Sequence, residues 1–432
     1  MKADTGRKYR AYPTPEQDEI LTRWGHHARA LWNLALEHRM MIGRKHDGNS
    51  WVWSTEQCVL LTEIRNDPDE SINWIQELPA SAGQQVLRQL DQAFKNMANP
   101  DHPAGHPIFK RRASHMSVSF PGQKLAVRKI SHRWAEVRIP KLGWLRFRFS
   151  RPFGGAWRSC TVSRHGLQWH VSFGVSTGGT RAAPNGKAGC GVDFGIAVSA
   201  WVSTEAKARI MPLSLNRGER LRLRALEHRK ARQITCARKY NGGKYSNRLR
   251  KTISHIAALH ARQARRRLDF THKLTTDLAK NHGFVGIEDL RVLNMTKSAK
   301  GTVAEPGKGV GRKSGLNRAI LDNVPGERRR QLIYKTARYG SELRLVAPHG
   351  TSQTCPECGQ RDPRSRVGCG REFVCVHCGH ADHADKTASI EIEARARRMG
   401  DTVIKSTRSP VRGARGRKIG TRLRAAPATH TG

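Results

Sequence analysis

Acidic residues are scarce in this chain. It carries 35 Asp and Glu against 78 Lys and Arg in 432 residues, a formal net charge of +43. A chain so short of negative charge repels itself unless it meets a polyanion. The basic residues are spread through the whole sequence rather than gathered in one arm. That distribution points to an extended nucleic-acid track, with a membrane surface as the weaker alternative. Long apolar runs are also missing. No stretch of about 18 apolar residues exists to span a bilayer, and the first residues lack the apolar core of a secretory leader. Cysteines number nine, four of them in paired spacing, which fits a reducing cytosol. Hydrophobic residues at 37%, with 40 glycines besides, are enough for sizeable cores, and the length suits about three domains.

What is present is concentrated between Thr351 and Ile392. Cys355 and Cys358 form one Cys-x-x-Cys pair, Cys375 and Cys378 a second. Zn²⁺ prefers four soft ligands in a tetrahedron, and two intervening residues let a tight turn aim both sulfurs at one ion. Gly359 and Gly379 follow the pairs and suit the sharp turn of a knuckle. Two facing knuckles make a zinc ribbon holding one Zn²⁺. The competing reading is a reversible disulfide; paired knuckles without a βαβ context favour zinc. Cys369, between the pairs, reads as a spare thiol or a replacement ligand.

In chain order, Arg7–Arg10 suggests an edge strand. Thr14, Pro15 and Gln17 read as cap, first helical residue and capping-box partner. Leu21, Trp24, Ala28, Leu31, Trp32 and Leu36 then follow at helical spacing. Helical signal resumes over 53–65 and 80–97. In the latter, Gln84, Gln85 and Arg88 lie on a face that is either solvated or positioned to touch bases and phosphates. From Ser117 to Thr177 short alternating runs predict a small antiparallel barrel or sheet, whose basic face is either solvated or a nucleic-acid platform. A Gly/Ala/Asn/Pro linker follows, to Ala188. Residues 216–281 predict two long basic helices broken at Asn241-Gly242-Gly243. The second carries Arg248, Lys251, Arg262 and Arg266, which suit a phosphate-facing helix better than a plain surface. Lys297–Gly315 reads as a mobile loop and Asn317–Tyr339 as one helix. Residues beyond Met399 are basic and too polar to fold alone.

Three acids stand apart. Asp193 sits near the start of an otherwise apolar strand, Glu288 ends another, and Asp385 opens a helix. A buried carboxylate is costly without a cation or donors. If the three meet, divalent cations must lie between them. Hard Mg²⁺ accepts carboxylate and phosphate oxygens together, and two such ions suit hydrolysis of a phosphodiester.

The order GVDFG, GIEDL, LNRAILD, TSQTCPECG, CVHCG and HADKTAS, with YPTPEQ, WNLAL, GHPIFK and IPKLG upstream, resembles the transposon-encoded TnpB nucleases and the related miniature type V CRISPR effectors. The resemblance implies an α+β multidomain chain. An RNase-H-like RuvC nuclease domain over 185–350 would be completed by its last helix, 383–398. A zinc ribbon over 351–382 would be inserted ahead of that helix. A β-barrel wedge domain (1–13 and 117–184) would be split by a helical recognition domain (14–116), and 399–432 would be a disordered basic tail. It also implies a prokaryotic cytoplasmic protein, nucleoid-associated when bound to DNA. Such a protein pairs a guide RNA with target double-stranded DNA after reading a short flanking motif. By motif position Asp193, Glu288 and Asp385 would be the catalytic residues and the ligands of two Mg²⁺. The third motif departs from the family pattern, with His383 where an Asp is common and Thr387 where an Asn is common. That change supports an alternative, a guided DNA-binding protein that cleaves weakly or not at all.

Overall fold

The computed structural model describes residues 5–399 except 43–51, 68–72, 100–103, 112–115, 123–124, 177, 179–181, 197 and 303. Much of the expected tail, residues 400–432, therefore lies outside the described residues.

The first half pairs helices with one antiparallel sheet. Strand β1 (Thr5–Ala11) leads into helix α1 (Pro15–Ile42), then α2 (Ser54–Asn66), α3 (Trp74–Glu77) and α4 (Ala80–Ala98). The predicted capping box is present: Gln17 N donates to Thr14 Oγ1 and Thr14 N to Gln17 Oε1. The apolar stripe of α1, from Leu21 to Leu36, is buried. Beyond it Arg39 is buried as well, and donates to Asp91 at 2.6 Å and to Gln57. One cation thus ties α1, α2 and α4 together. Strands β2 (Met116–Pro121), β3 (Ala126–Lys129), β4 (Trp134–Ile139), β5 (Gly143–Arg148), β6 (Ala156–His165) and β7 (Gln168–Ser176) join β1 in the order β2-β6-β7-β1-β5-β4-β3. The ends of that order, β2 and β3, do not pair with each other among the described residues, so the hydrogen bonding is that of a sheet. Helices and strands share a single apolar core, in which Trp24 and Leu90 meet Phe120, Phe147 and Phe173.

The second half is built on a four-stranded sheet in the order β11-β10-β8-β9: β11 (Glu342–Val346), β10 (Phe284–Glu288), β8 (Cys190–Asp193) and β9 (Trp201–Val202). Strands β8, β10 and β11 run parallel, and β9 runs antiparallel to β8. Period-two alternation divides the side chains. One face carries Cys190, Val192, Val285 and Ile287, packed against Leu274 and Leu278 of α6 (Asn247–Asn281) and Leu332 of α9 (Pro325–Tyr339). Helix α5 (Arg217–Tyr240) lies against α6 as a hairpin, broken where the Asn-Gly-Gly signal predicts.

The other face presents glycine. Gly191 pairs in register with Gly286, and α10 (Ala384–Arg398) lies directly over both. A Cβ on Gly191 would meet Ser389 O at 2.1 Å and Glu393 N at 2.3 Å, and one on Gly286 would meet the Ala396 Cβ at 2.7 Å.

Two expectations change. The single helix expected over Asn317–Tyr339 is two, α8 (Val310–Asp322) and α9, preceded by the short α7 (Val292–Met295). The cause is Pro325, since the residue before proline is disfavoured in the α region; Val324 takes φ 45°, ψ 50° instead. The expected mobile loop ends early, because α8 begins at Val310. The 177–188 linker is also docked where described: Ala182 N donates to Ala337 O, and Asn185 N to Gly340 O. No described helix is long and apolar enough to cross a membrane.

The glycine pair yields a stability prediction. Gly191→Ala sets a methyl against the α10 backbone, which has no flexible end to move. It should cost about 1–3 kcal/mol or more in urea denaturation, whereas Gly326→Ala, where a Cβ meets nothing within 4 Å, should be near neutral.

Candidate functional site

The register that places Gly191 beside Gly286 also pairs Val192 with Ile287. The next residues on these parallel strands are Asp193 and Glu288. Two residues on from the glycines, their side chains rise on the face that α10 covers. Asp385 lies in the first turn of α10, where the helix N-terminus favours an anion. Sheet and helix therefore bring acids from three distant parts of the chain to one edge. Burial, then the charges of Glu288 and Asp385, push the Asp193 carboxyl up to about 8, with Arg366 opposing. Burial raises Glu288 as well, against the hydroxyl of Thr351 and the charge of Arg395. Thr351 Oγ1 donates to Glu288 Oε1 at 2.5 Å. The turn after Asp193 closes the opposite wall, where a Cβ on Gly195 would lie 3.5 Å from Asp385 Oδ2. An open groove of about 550 Å³ runs beside Glu288, lined by Asp289, Arg291, Asn294, Leu345 and Pro348 among others.

Among the described residues, the only group of three or more His, Cys, Asp or Glu with ligand atoms mutually within 4.8 Å is the four cysteines. The three carboxylates are thus neighbours without being a single tight cluster. An ion about 2.1 Å from each ligand needs them within roughly 4.2 Å of one another, so no one Mg²⁺ is ligated by all three in this arrangement.

The residues of the altered third motif are engaged elsewhere. His383 Nδ1 caps α10 by accepting from Asp385 N at 3.1 Å, and its ring stacks on Trp201 with centroids 4.6 Å apart. Thr387 is fully buried and its Oγ1 has no hydrogen-bond partner. Neither supplies an oxygen to the carboxylates.

The four cysteines fit zinc. Cys355 Sγ lies 3.6 Å from Cys378 Sγ, and Cys358 Sγ 3.6 Å from Cys375 Sγ. Zn–S bonds of about 2.3 Å in a tetrahedron place sulfurs roughly 3.8 Å apart. Each knuckle closes with Gly N donating to the first Cys O, at 3.0 Å for Gly359 and 2.9 Å for Gly379, and both glycines take the positive φ the turn needs. Backbone donors from Cys378 and His377 pull the Cys375 thiol down, while Cys355, Cys358 and Cys378 are pushed up in the crowded metal-free cluster. The clip is carried by strands β12 (Arg366–Val367), β13 (Glu372–Val374) and β14 (Ala381–His383). The side chain of Cys369 lies outside the described residues.

The expected nucleic-acid contacts divide. Arg88, Arg248 and Lys251 are exposed, and Gln84 and Gln85 are half-buried on α4. Arg262 and Arg266 both converge on Glu219 of α5, at 2.6 and 2.5 Å. As placed, they brace the helical hairpin while remaining about half exposed. Thr351, Arg366 and Arg395 adjoin the acids without having been singled out. Thr351 opens the zinc motif, which was the available signal; the two arginines look like any others in so basic a chain.

Fold and site together define a class: a protein with a four-cysteine clip that fits zinc, whose acids gather at the end of a mainly parallel sheet, among basic surfaces. Family profiles match in three places. One described as "Cas12f1-like, TNB domain" covers residues 326–392, "Probable transposase" covers 170–299, and "Helix-turn-helix domain" covers 1–42. Within that last span the described residues form one strand and one long helix. Over 395 residues the chain is 31% identical to "Putative RNA-guided DNA endonuclease InsQ" of Escherichia coli K12, covering 91% of this chain and 92% of that protein. A "Putative RNA-guided DNA endonuclease" of Streptomyces pristinaespiralis is 31% identical over 392 residues, or 90% of this chain and 88% of that one. The chain belongs to this TnpB-like family of RNA-guided DNA endonucleases. A solved Cas12f1–sgRNA–target DNA complex aligns over 90% of this chain and 98% of its own at 13% identity and a TM-score of 0.38, which establishes nothing further.

Asp193 gives a pH prediction. Unfolded, it ionises near its ordinary 3.8; folded and metal-free, it keeps its proton to about 8. The stability this group contributes is therefore complete below about pH 4 and is lost as pH rises through about 8. The melting temperature of the metal-free protein should fall across that window, Mg²⁺ should restore it most strongly at the alkaline end, and Asp193→Asn should flatten both responses in thermal scans. For the clip, Cys358→Ser should lower bound zinc from one per chain towards none by metal analysis.

Proposed function

We propose that this protein is an RNA-guided DNA endonuclease that hydrolyses phosphodiester bonds with Mg²⁺ held by Asp193, Glu288 and Asp385. The observation that carries the reading is the convergence of these acids on one face and edge of the β8–β10 pair. Because no single ion can touch all three, the arrangement suits two ions. Asp193, between the others in charge, would be shared, and Glu288 and Asp385 would each complete one. Bound there, Mg²⁺ supplies an activated water and charge stabilisation at the phosphate. Thr351 occupies one oxygen of Glu288 and so turns the other towards the site. The N-terminus of α10 stabilises Asp385 as an anion. The groove that begins at Asp289, next in sequence to Glu288, would give a strand room near the acids, and Arg291 on its wall suits a phosphate.

The relatives' names supply a guide RNA as partner and DNA as substrate; we take the target to be double-stranded. We assign the RuvC role to 185–350 with 383–398, the ribbon to 351–382, the wedge to 1–13 with 117–184, and recognition to 14–116. Exposed Arg88, Arg248 and Lys251 are proposed phosphate contacts, and the zinc is structural. A second reading is favoured by one observation: His383 and Thr387 give the carboxylates no oxygen, so ion affinity is reduced and guided binding outlasts cleavage.

Plasmid cleavage with guide RNA, Mg²⁺ and a library of flanking sequences separates the two. Efficient cutting at millimolar Mg²⁺ supports the nuclease; guide-dependent binding without cutting supports the second reading. Asp193→Ala should reduce cutting by at least about 10²-fold with guided binding intact in gel-shift assays. Cutting at the wild-type rate in that variant would remove Asp193 from the site.

A further inference from the structure

Arg328, in the first turns of α9, is fully buried, yet no carboxylate pairs with it among the described residues; burial alone shifts its titration. A buried cation without an anion is expensive, and an aliphatic side chain would fill the space at lower cost. Its contacts show what the charge is used for. Nη1 donates to Ser199 O at 2.7 Å and Nη2 to Asn323 Oδ1 at 3.0 Å, and the guanidinium lies over the Phe194 ring at 5.0 Å. Asn323 Nδ2 donates onward to Ile196 O at 3.2 Å. Phe194, Ile196 and Ser199 all belong to the turn that leaves Asp193.

A second oddity points to the same place. Val324 sits at φ 45°, an outlier for a β-branched residue of the kind that persists only where its surroundings impose it. That kink ends α8 and starts α9, and it is what presents Asn323 and Arg328 side by side to the turn. The turn itself is tight. A Cβ on Gly195 would meet Val198 O at 2.8 Å, and on its open side lie 3.5 Å from Asp385 Oδ2. The turn thus joins Asp193 to a backbone that lies against Asp385.

We propose that Arg328, relayed by Asn323, is a positioning residue that clasps the turn after Asp193 and so sets the affinity of the carboxylate site for divalent cations. This rests on the reading of Asp193, Glu288 and Asp385 as ion ligands. A planar group with two donors fixes the turn at a carbonyl and an aromatic ring together, which neither Lys nor Met can do.

The test uses the guide-loaded full chain. Mn²⁺ binding is followed by electron paramagnetic resonance, alongside the Mg²⁺ dependence of DNA cleavage. Arg328→Met should leave the melting temperature equal or higher while raising the half-saturating Mg²⁺ and the Mn²⁺ dissociation constant about tenfold, with guided DNA binding unchanged. Arg328→Lys, with one anchoring donor at most, should fall between. Asn323→Asp keeps the acceptor for Arg328 but loses the donor to Ile196, and should weaken both ions several-fold even if Arg328→Met fails to fold. Unchanged ion affinity in Asn323→Asp and in any folded Arg328 variant overturns the clasp while leaving the carboxylate site standing. A wild-type chain whose Mn²⁺ signal is the same in Asp193→Asn overturns the carboxylate reading, and the clasp with it.

Discussion

The close approach of α10 to the sheet is the constraint on which the rest depends. Two glycines opposed on adjacent parallel strands leave a bare patch of backbone, and a helix can lie there at a distance that any side chain would forbid. The same alternation that bares the patch sends Asp193 and Glu288 upward two residues later, at the lip of that patch. The N-terminal turn of the helix then delivers Asp385 to the lip. Packing and chemistry are thus not separable here. The residues that allow contact and the residues that carry charge occupy the same face of the same two strands.

Around that contact the protein arranges its scarce acids and abundant bases in opposite ways. Bases cover the surface of the α5–α6 hairpin and the strands of the first sheet. Three of its acids gather at the cleft, where burial pushes Asp193 and Glu288 up, and the charges of Glu288 and Asp385 add to the effect on Asp193. Segments flanking or belonging to the zinc ribbon reach the same place. Thr351 bonds Glu288 directly, and Arg366 bonds Ser352 Oγ at 2.9 Å while its charge opposes the proton on Asp193. Arg395 of α10 donates to His349 O at 2.8 Å, tying the ribbon's base to the helix it precedes. The four cysteines and the three carboxylates thus share one scaffold.

Much of this was legible from residues alone. The cysteine spacing placed the clip because thiolate geometry is local, and the amphipathic stripe of α1 and its capping box were equally local. The three acids were legible as unusual, since an acid at the end of an apolar run needs a reason, but their meeting depends on strand register, which spacing does not encode. A usable signal was present. Gly191-Val192-Asp193 and Gly286-Ile287-Glu288 repeat the pattern glycine, β-branched, acid, and parallel pairing of two such strands puts like beside like. The helix break at Val324 was missed because periodicity continued through it, although Pro325 marked it. Alternation left barrel or sheet open, because it reports a buried face and says nothing of closure; in hydrogen bonding the described strands form a seven-stranded sheet. That Arg262 and Arg266 meet Glu219 was not legible, because Glu219 lies more than forty residues away in sequence.

The position of α10 after the ribbon has a consequence for biosynthesis. A nascent chain that has emerged only as far as β11 already holds Asp193 and Glu288 on adjacent strands, but it has no third acid and nothing over the glycines. The cleft takes its third acid and its cover from the helix that follows the cysteines, so a message cut short before residue 384 yields a polypeptide without Asp385 and with the glycine patch left bare.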